Sequence, residues 1–378
     1  MLQKNLFTKE ELNRYNRHII LPQFGVAAQE KLKASKVLVV GSGGLGSPLL
    51  FYLAAAGIGA IGIVDFDCVE ETNLQRQILF DTNNIGKPKA EIAAQKVQEL
   101  NPYIRVKVYN EKLTPANALE IIKGYDIIAD GTDNFPTRYL INDACVLLGK
   151  PYVYGSVYQF EGQLSLFNYK NKNGEIGPNY RDLYSTPPPP ESIPDCASGG
   201  VLGVLPGIIG SMQALEVIKA ITGIGENLSG KFFVFDALTA SSKTFIIKPN
   251  PDNPLNGSNP TITSLIDYDA FCKTPFANIK ELSAEEFVRL RVSGEDFQLI
   301  DVREPAEYEI SNIEGELIPL KAIAESVDKI EKGKKVILHC QSGTRSKQAI
   351  AILQEKFGFS NLYNLSGGLD EYRKIIGD

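Results

Sequence analysis

The run Lys36-Val37-Leu38-Val39-Val40-Gly41-Ser42-Gly43-Gly44-Leu45-Gly46 decides the fold of the first part of this chain. An apolar, β-branched run that ends on Gly41, Gly43 and Gly46 is the G-x-G-x-x-G pattern of a buried parallel strand turning into a helix. These glycines, with Gly44 between them, let the backbone approach a phosphate at the helix N-terminus, where free N–H groups and the helix dipole favour an anion. Asp65 ends the next apolar run, where an acid can accept ribose hydroxyls.

Outward from this loop, residues 36–155 alternate short β-branched runs with longer amphipathic stretches, the pattern of repeated βαβ units around a parallel sheet. Strands are expected at Val37–Val40, Ala60–Asp65, Arg105–Tyr109, Ile127–Asp130 and Tyr152–Tyr154, and helices at Pro48–Ala56, Lys87–Leu100 and Thr137–Leu148. Period-two alternation over Gly162–Tyr169 and Lys231–Ile247 predicts antiparallel strands extending the sheet. Residues 249–278 shift to Pro, Asn, Gly and Ser, which reads as a linker between an N-terminal domain (1–248) and a C-terminal one (279–378). The fold class is therefore α/β: a Rossmann-like, mostly parallel sheet followed by a smaller α/β domain, with strands at Leu299–Val302 and Lys335–His339 and a helix at Ser346–Phe357.

Composition narrows the function. The 378 residues carry a formal net charge of -6, which argues against non-specific nucleic-acid binding. The longest apolar stretch, Val201–Ile218, is broken by Gly203, Pro206, Gly207 and Gly210, so it reads as a buried loop entering a core helix rather than a membrane span. Five cysteines without a CxxC pair fit neither a disulfide framework nor a zinc cluster, and a reducing cytoplasm is the expected compartment.

The glycine fingerprint alone leaves an NAD-dependent oxidoreductase open. The motifs from Asp65 onward favour ATP: Asp65-Phe66-Asp67, Asn73-Leu74-Gln75-Arg76-Gln77, Gly86-Lys87-Pro88-Lys89 and Gly131-Thr132-Asp133-Asn134. Arginine and lysine supply positive charge for a triphosphate, and Asp133 can hold Mg²⁺ between its oxygens.

With Arg14-Tyr15-Asn16-Arg17-His18-Ile19-Ile20-Leu21 ahead of them, these motifs make residues 8–248 resemble the MoeB/ThiF family, bacterial relatives of ubiquitin-activating enzymes. The resemblance implies ATP-dependent adenylation of the C-terminal glycine of a small ubiquitin-fold sulfur carrier ending in Gly-Gly, with release of pyrophosphate. It implies that Asp65 holds the ribose, that Asn73, Arg76 and Lys89 hold the phosphates, and that Asp133 binds Mg²⁺. Asp67 and Asn134 belong to the same nucleotide-binding motifs, and Arg17 is expected to reach across a homodimer interface. Carriers of this kind serve molybdenum-cofactor or thiamin biosynthesis or tRNA thiolation. Many relatives place two CxxC pairs around the core to hold zinc. The corresponding positions here are Asn179, Asp182, Asn253 and Asn256, poor ligands for that ion, so no zinc is expected.

Near the other end, Cys340-Gln341-Ser342-Gly343-Thr344-Arg345 succeeds a strand and opens a helix. Backbone N–H groups and the helix dipole there would stabilise a thiolate or a persulfide, and Arg345 adds positive potential. A cysteine–loop–arginine site also suits a phosphatase. With Leu299-Ile300-Asp301-Val302-Arg303-Glu304-Pro305 and Asn364-Leu365-Ser366-Gly367-Gly368, residues 279–378 resemble a rhodanese domain, whose tight loop implies sulfur transfer from a persulfide or thiosulfate donor. Asp301 and Arg303 are expected to be structural clamps. Cys196, in Asp195-Cys196-Ala197-Ser198-Gly199-Gly200, falls in a crossing segment where some relatives carry a carrier-capturing cysteine. Its expected role is either to hold the carrier covalently or to resolve an acyl disulfide.

Overall fold

The computed structural model describes residues 6–185, 187, 200–272 and 279–377. They divide into two compact units, one running to Cys272 and one beyond it. Cys196 and all but the first residue of the tetraproline Pro187–Pro190 lie outside the described residues.

The first unit is built on an eight-stranded sheet. Its strands are β1 (Lys36–Val40), β2 (Ala60–Val64), β3 (Arg105–Tyr109), β4 (Ile127–Asp130), β5 (Tyr152–Tyr158), β6 (Glu161–Phe167), β7 (Lys231–Asp236) and β8 (Ser241–Ile246). Their order is β3-β2-β1-β4-β5-β6-β7-β8, parallel through β5 and antiparallel beyond it. The central parallel strands β1, β2 and β4 read as apolar runs because both faces are covered, whereas the edge strand β3 alternates polar and apolar residues and is half exposed. Along β1, Val37 and Val39 join the core beneath the helices Gly25–Ala34, Gly46–Ala56, Lys89–Leu100 and Leu205–Thr222. Leu38 and Val40 face the opposite core, with Ile121, Ile122, Leu140 and Ile141. The helices begin earlier or later than the periodicity predicts by two residues, at Gly46, Lys89, Phe135 and Thr344. Helix Leu205–Thr222 occupies the broken apolar stretch, and among the described residues no helix is long and apolar enough to cross a membrane.

The second unit holds a five-stranded parallel sheet of order β11-β10-β12-β13-β9, made of β9 (Lys280–Leu282), β10 (Phe297–Asp301), β11 (Glu316–Leu317), β12 (Lys335–His339) and β13 (Leu362–Leu365). Helix Thr344–Phe357 leaves the end of β12 and packs Ala349, Ile350 and Leu353 into that unit's core.

The stretch after Lys248 departs from the linker expectation. Asn250, Asn253 and Asn256 bond back to the first unit, Leu255 is buried, and Tyr268–Cys272 forms a helical turn against helix Phe135–Leu148. Hydrophilic composition misled here because side-chain amides order residues 250–257 and the few apolar residues that follow, Leu265, Ile266, Tyr268 and Phe271, pack on the first unit's core. Behind this stretch lies a fully buried ion pair. Arg181 donates Nε and Nη2 to the two carboxylate oxygens of Asp143, each at 2.8 Å, and Tyr268 donates its hydroxyl to Asp143 at 2.8 Å. The Arg181 guanidinium also lies over the rings of Tyr139 and Phe271, each 4.8 Å away. Asp143→Ala leaves that guanidinium buried without its counter-charge. The expected cost is about 3–5 kcal/mol, read as a lower urea midpoint for the first unit; an unchanged midpoint would show the pair to be solvated.

Candidate functional site

Two loops at strand ends carry the candidate chemistry. In the first unit, Gly41 takes φ +88, and a Cβ there would lie 2.9 Å from the backbone of Gly131. Gly41 N–H donates to Val64 O and Gly131 N–H to Val40 O, so the ends of β1 and β4 are pressed together where the strand order reverses. That reversal is where open α/β sheets form a ligand crevice.

Two buried carboxylates shape the crevice. Asp65 Oδ2 accepts from the backbone N–H and the hydroxyl of Ser42 at 2.8 and 2.7 Å, and Oδ1 accepts from Asp67 N–H. Asp65 thus shapes the glycine loop before it meets any ribose, and Oδ1 keeps a lone pair for one. Asp130 Oδ1 accepts from Thr132 N–H and hydroxyl at 2.8 and 2.6 Å, and its Oδ2 accepts from the Tyr152 hydroxyl at 2.6 Å. Burial pushes the Asp130 pKa up, opposed by the Arg138 charge and these hydrogen bonds. Sequence reasoning missed Asp130, although its place one step before Gly131 was the available signal.

The segment after the short helix Glu71–Asn73 brings Arg76 and Gln77 to the glycine loop. The Arg76 stem passes Gly44, and its Nη1 donates to Thr72 O. The Asn73 Oδ1 is taken by Glu70 N–H, which leaves its Nδ2 as the donor for an anion. Lys89 is 6% exposed and donates Nζ to Asp67 at 3.1 Å, which keeps its charge at the loop. Gln77, quoted in the motif but given no role from sequence, places Nε2 beside Gly43 and leaves Oε1 buried without a partner.

Asp133 is exposed and its carboxylate makes no hydrogen bond among the described residues, so it is free for a cation. Asn134 is partly committed elsewhere, because its Oδ1 caps the helix Phe135–Leu148 by accepting from Thr137 N–H at 3.0 Å. Arg17 lies exposed on the short helix Asn16–Ile19, with no hydrogen-bond partner among the described residues. The crevice thus has the donors and the side-chain-free cradle that a triphosphate needs, and one open carboxylate suited to Mg²⁺.

In the second unit, β12 delivers Cys340 to a tight loop, 1% exposed. Gly343, at φ +88, caps the next helix and donates its N–H to Cys340 Sγ at 3.2 Å, and the Ser346 hydroxyl lies 3.7 Å from the same sulfur. The Gly367–Gly368 turn grips the loop from outside, with Leu369 and Asp370 N–H groups donating to the carbonyls of Cys340 and Gln341. Arg303 is the clamp expected of it, doubly bonded to Asp301 and reaching Gln341 Oε1 and Ser311 O. Arg345 has a second partner besides the cysteine. It donates Nη1 and Nη2 to the two oxygens of Glu307 at 2.6 and 2.8 Å, which raises the Arg345 pKa and lowers that of Glu307. Arg345 also interacts with Cys340, so the sulfur is served by the Gly343 N–H, the Ser346 hydroxyl and this guanidinium together. Glu307 is far away in sequence and carried no motif signal.

His339, beneath the loop, is fully buried with neither ring nitrogen hydrogen-bonded, and desolvation lowers its pKa to about 4. Above pH ~6.5 the ring is neutral folded and unfolded. Between there and about 4 only the unfolded chain takes up the proton, so the second unit loses stability as pH falls through that window. The loss should total about 3 kcal/mol at 1.36 kcal/mol per pK unit. His339→Gln should flatten the pH dependence of chemical denaturation; a slope identical to wild type would refute the assignment.

The chain matches the ThiF family over residues 15–255 and the rhodanese-like domain over residues 283–375. It is 46% identical to the probable adenylyltransferase/sulfurtransferase MoeZ of Mycobacterium tuberculosis, over 97% of this chain and 94% of that one. It is 52% identical to the sulfur carrier protein adenylyltransferase of Thermus thermophilus, over 70% of this chain and 98% of that one. Among solved structures, Escherichia coli MccB shares the fold at TM-score 0.57 and 24% identity, over 65% of this chain and 74% of that one. These relatives give no support to an NAD-dependent oxidoreductase. The chain belongs to the ThiF family and carries a rhodanese-like domain after its ThiF domain.

Proposed function

We propose that this enzyme adenylates the C-terminal glycine of a small ubiquitin-fold sulfur carrier and then replaces one carboxylate oxygen with sulfur delivered by Cys340. The observation that carries the reading is the pairing, in one chain, of a phosphate cradle at Gly41–Gly46 with a cysteine sulfur under a helix N-terminus. The names borne by the relatives, adenylyltransferase and sulfurtransferase, support both halves.

In the first step a carrier carboxylate oxygen attacks the α-phosphorus of ATP, forming an acyl–phosphate bond as the bond to pyrophosphate breaks. Two anions must meet, so Arg76, Lys89 and the Asn73 amide lower the repulsion as charge moves onto the leaving group. Mg²⁺, held by Asp133, would supply further positive charge at the phosphates. Arg17, exposed and unpartnered among the described residues, is free to serve a second copy of the chain, which favours a homodimer. In the second step the terminal sulfur of a Cys340 persulfide attacks the acyl carbon and AMP leaves. A thiol attacks Cys340 Sγ of the resulting acyl disulfide, which releases the thiocarboxylate and leaves that thiol in a disulfide with Cys340; a small-molecule thiol reductant then returns Cys340 to the free thiol. Cys196 is the candidate thiol, or else it holds the carrier as a thioester before sulfur arrives. The persulfide is recharged by a persulfide or thiosulfate donor, and the free cysteines fit a reducing cytoplasm.

The test is mass spectrometry of a Gly-Gly-ended carrier incubated with enzyme, Mg-ATP and thiosulfate. A gain of about 16 Da, sulfur for oxygen, is expected with wild type and absent with Cys340→Ala, while Cys196→Ala assigns that thiol. A gain that survives Cys340→Ala would remove the rhodanese loop from the pathway. Separately, Arg76→Ala and Asp133→Ala should each lower carrier-dependent ATP–pyrophosphate exchange by about 10²-fold or more; wild-type exchange in either would overturn the site.

A further inference from the structure

The four positions expected to correspond to zinc-binding cysteines in relatives converge in space, but on one another. Asp182 Oδ1 accepts from the Asn253 amide and from Asn250 N–H, each at 2.8 Å, and its Oδ2 accepts from Asn179 N–H at 2.7 Å. Asn179 donates Nδ2 to Asn256 Oδ1 at 3.0 Å, and its own Oδ1 accepts from Arg181 N–H at 2.9 Å. Asn253 Oδ1 accepts from Leu255 N–H at 3.0 Å. Asn179 and Asn253 are fully buried. The turn is tight as well: a Cβ on Gly257 would collide with the backbone of Pro251 and Asn253.

This donor set does not fit zinc. Structural zinc takes four thiolate or imidazole ligands, whereas the four residues offer one carboxylate and three neutral amides. Every one of these side-chain oxygens already accepts a hydrogen bond, so a metal would have to break the contacts that bring the residues together. We infer that Asn179, Asp182, Asn253 and Asn256 form a metal-independent clasp, in which hydrogen bonds do the cross-linking that thiolates on zinc would otherwise do. It joins the capped turn Tyr180–Leu183, which leads into the crossing segment, to residues 250–257. The buried Arg181–Asp143–Tyr268 group backs it, reached from Asn179 through Asn142, whose Oδ1 takes Tyr180 N–H. The clasp orders residues 250–257, and the apolar contacts of Leu265, Ile266, Tyr268 and Phe271 carry the first unit on from there to Cys272 instead of ending it near residue 248.

The full-length protein tests this without reference to activity. After equilibration with zinc and dialysis, elemental analysis should find no stoichiometric zinc, and the melting temperature should be the same with EDTA or zinc. Asn253→Ala and Asp182→Ala should lower the first unit's melting temperature by roughly 3–6 °C and speed limited proteolysis within 250–272. Replacing all four together, Asn179→Cys, Asp182→Cys, Asn253→Cys and Asn256→Cys, should create a site that takes up one zinc and makes unfolding EDTA-sensitive. This also serves where a single variant does not fold. One tightly bound zinc in wild type, an EDTA-lowered melting temperature, an Asn253→Ala variant indistinguishable from wild type, or a folded four-cysteine variant that takes up no zinc would each overturn the clasp.

Discussion

The backbone of Gly41 lies so close to that of Gly131 that a side chain on either would have no room, and the first unit is arranged around that contact. It joins the ends of β1 and β4, the neighbours between which the strand order reverses, and so opens the crevice there and nowhere else in the sheet. The two loops leaving this point are tied down by one device used twice. A buried aspartate, Asp65 or Asp130, accepts on a single oxygen both the N–H and the hydroxyl of a residue in the loop, Ser42 or Thr132. Each loop is thereby held by a buried carboxylate, Asp65 through two backbone N–H groups and a hydroxyl and Asp130 through one N–H and two hydroxyls, which leaves the glycines, Arg76 and Lys89 available to an anion and Asp133 to a cation. Burying acids this way costs desolvation, which the hydrogen bonds offset, and the return is a cradle whose dipoles need not reorganise when charge arrives.

The cysteine loop solves a related problem with the same backbone geometry. Gly343 takes the φ of Gly41, and in both places a strand ends, the chain turns through the left-handed region, and a helix N-terminus points its free N–H groups inward. One cradle awaits a diffusing phosphate; the other holds a sulfur bonded to its own loop. A tethered sulfur needs less binding energy than a ligand captured from solution.

The parts legible in the sequence are those with short-range signatures. The central strands of the parallel sheet declared themselves as apolar runs, the loops as glycines at fixed spacing, and the clamp Asp301–Arg303 as neighbours two residues apart. The features that escaped it depend on pairing across long separations. Glu307 meets Arg345 only because helix Pro305–Ile310 and the cysteine loop lie side by side in the fold, and Asn253 meets Asp182 across 71 residues. Composition pointed the wrong way in the second case, since asparagine and proline predict a solvated linker unless their amides find partners. The role of Asn134 divides for a related reason: its motif spacing suggests a ligand, while its place just ahead of helix Phe135–Leu148 makes it a cap.

The pairing of Arg345 with Glu307 bears on how the two loops divide the chemistry proposed for them. Adenylation brings a carboxylate to a triphosphate, and the cations of Arg76 and Lys89 help because negative charge accumulates as pyrophosphate departs. Sulfur transfer runs the other way: the attacking sulfur begins with its full negative charge and gives it up to the acyl group. A strong cation at that sulfur would stabilise the ground state more than the transition state and slow the attack. Nucleophilicity likewise falls as a thiolate is made a weaker base. Pairing Arg345 with the bidentate carboxylate of Glu307 shares that charge between two anions, so the guanidinium, the Gly343 N–H and the Ser346 hydroxyl hold the sulfur without a lone, fully directed cation.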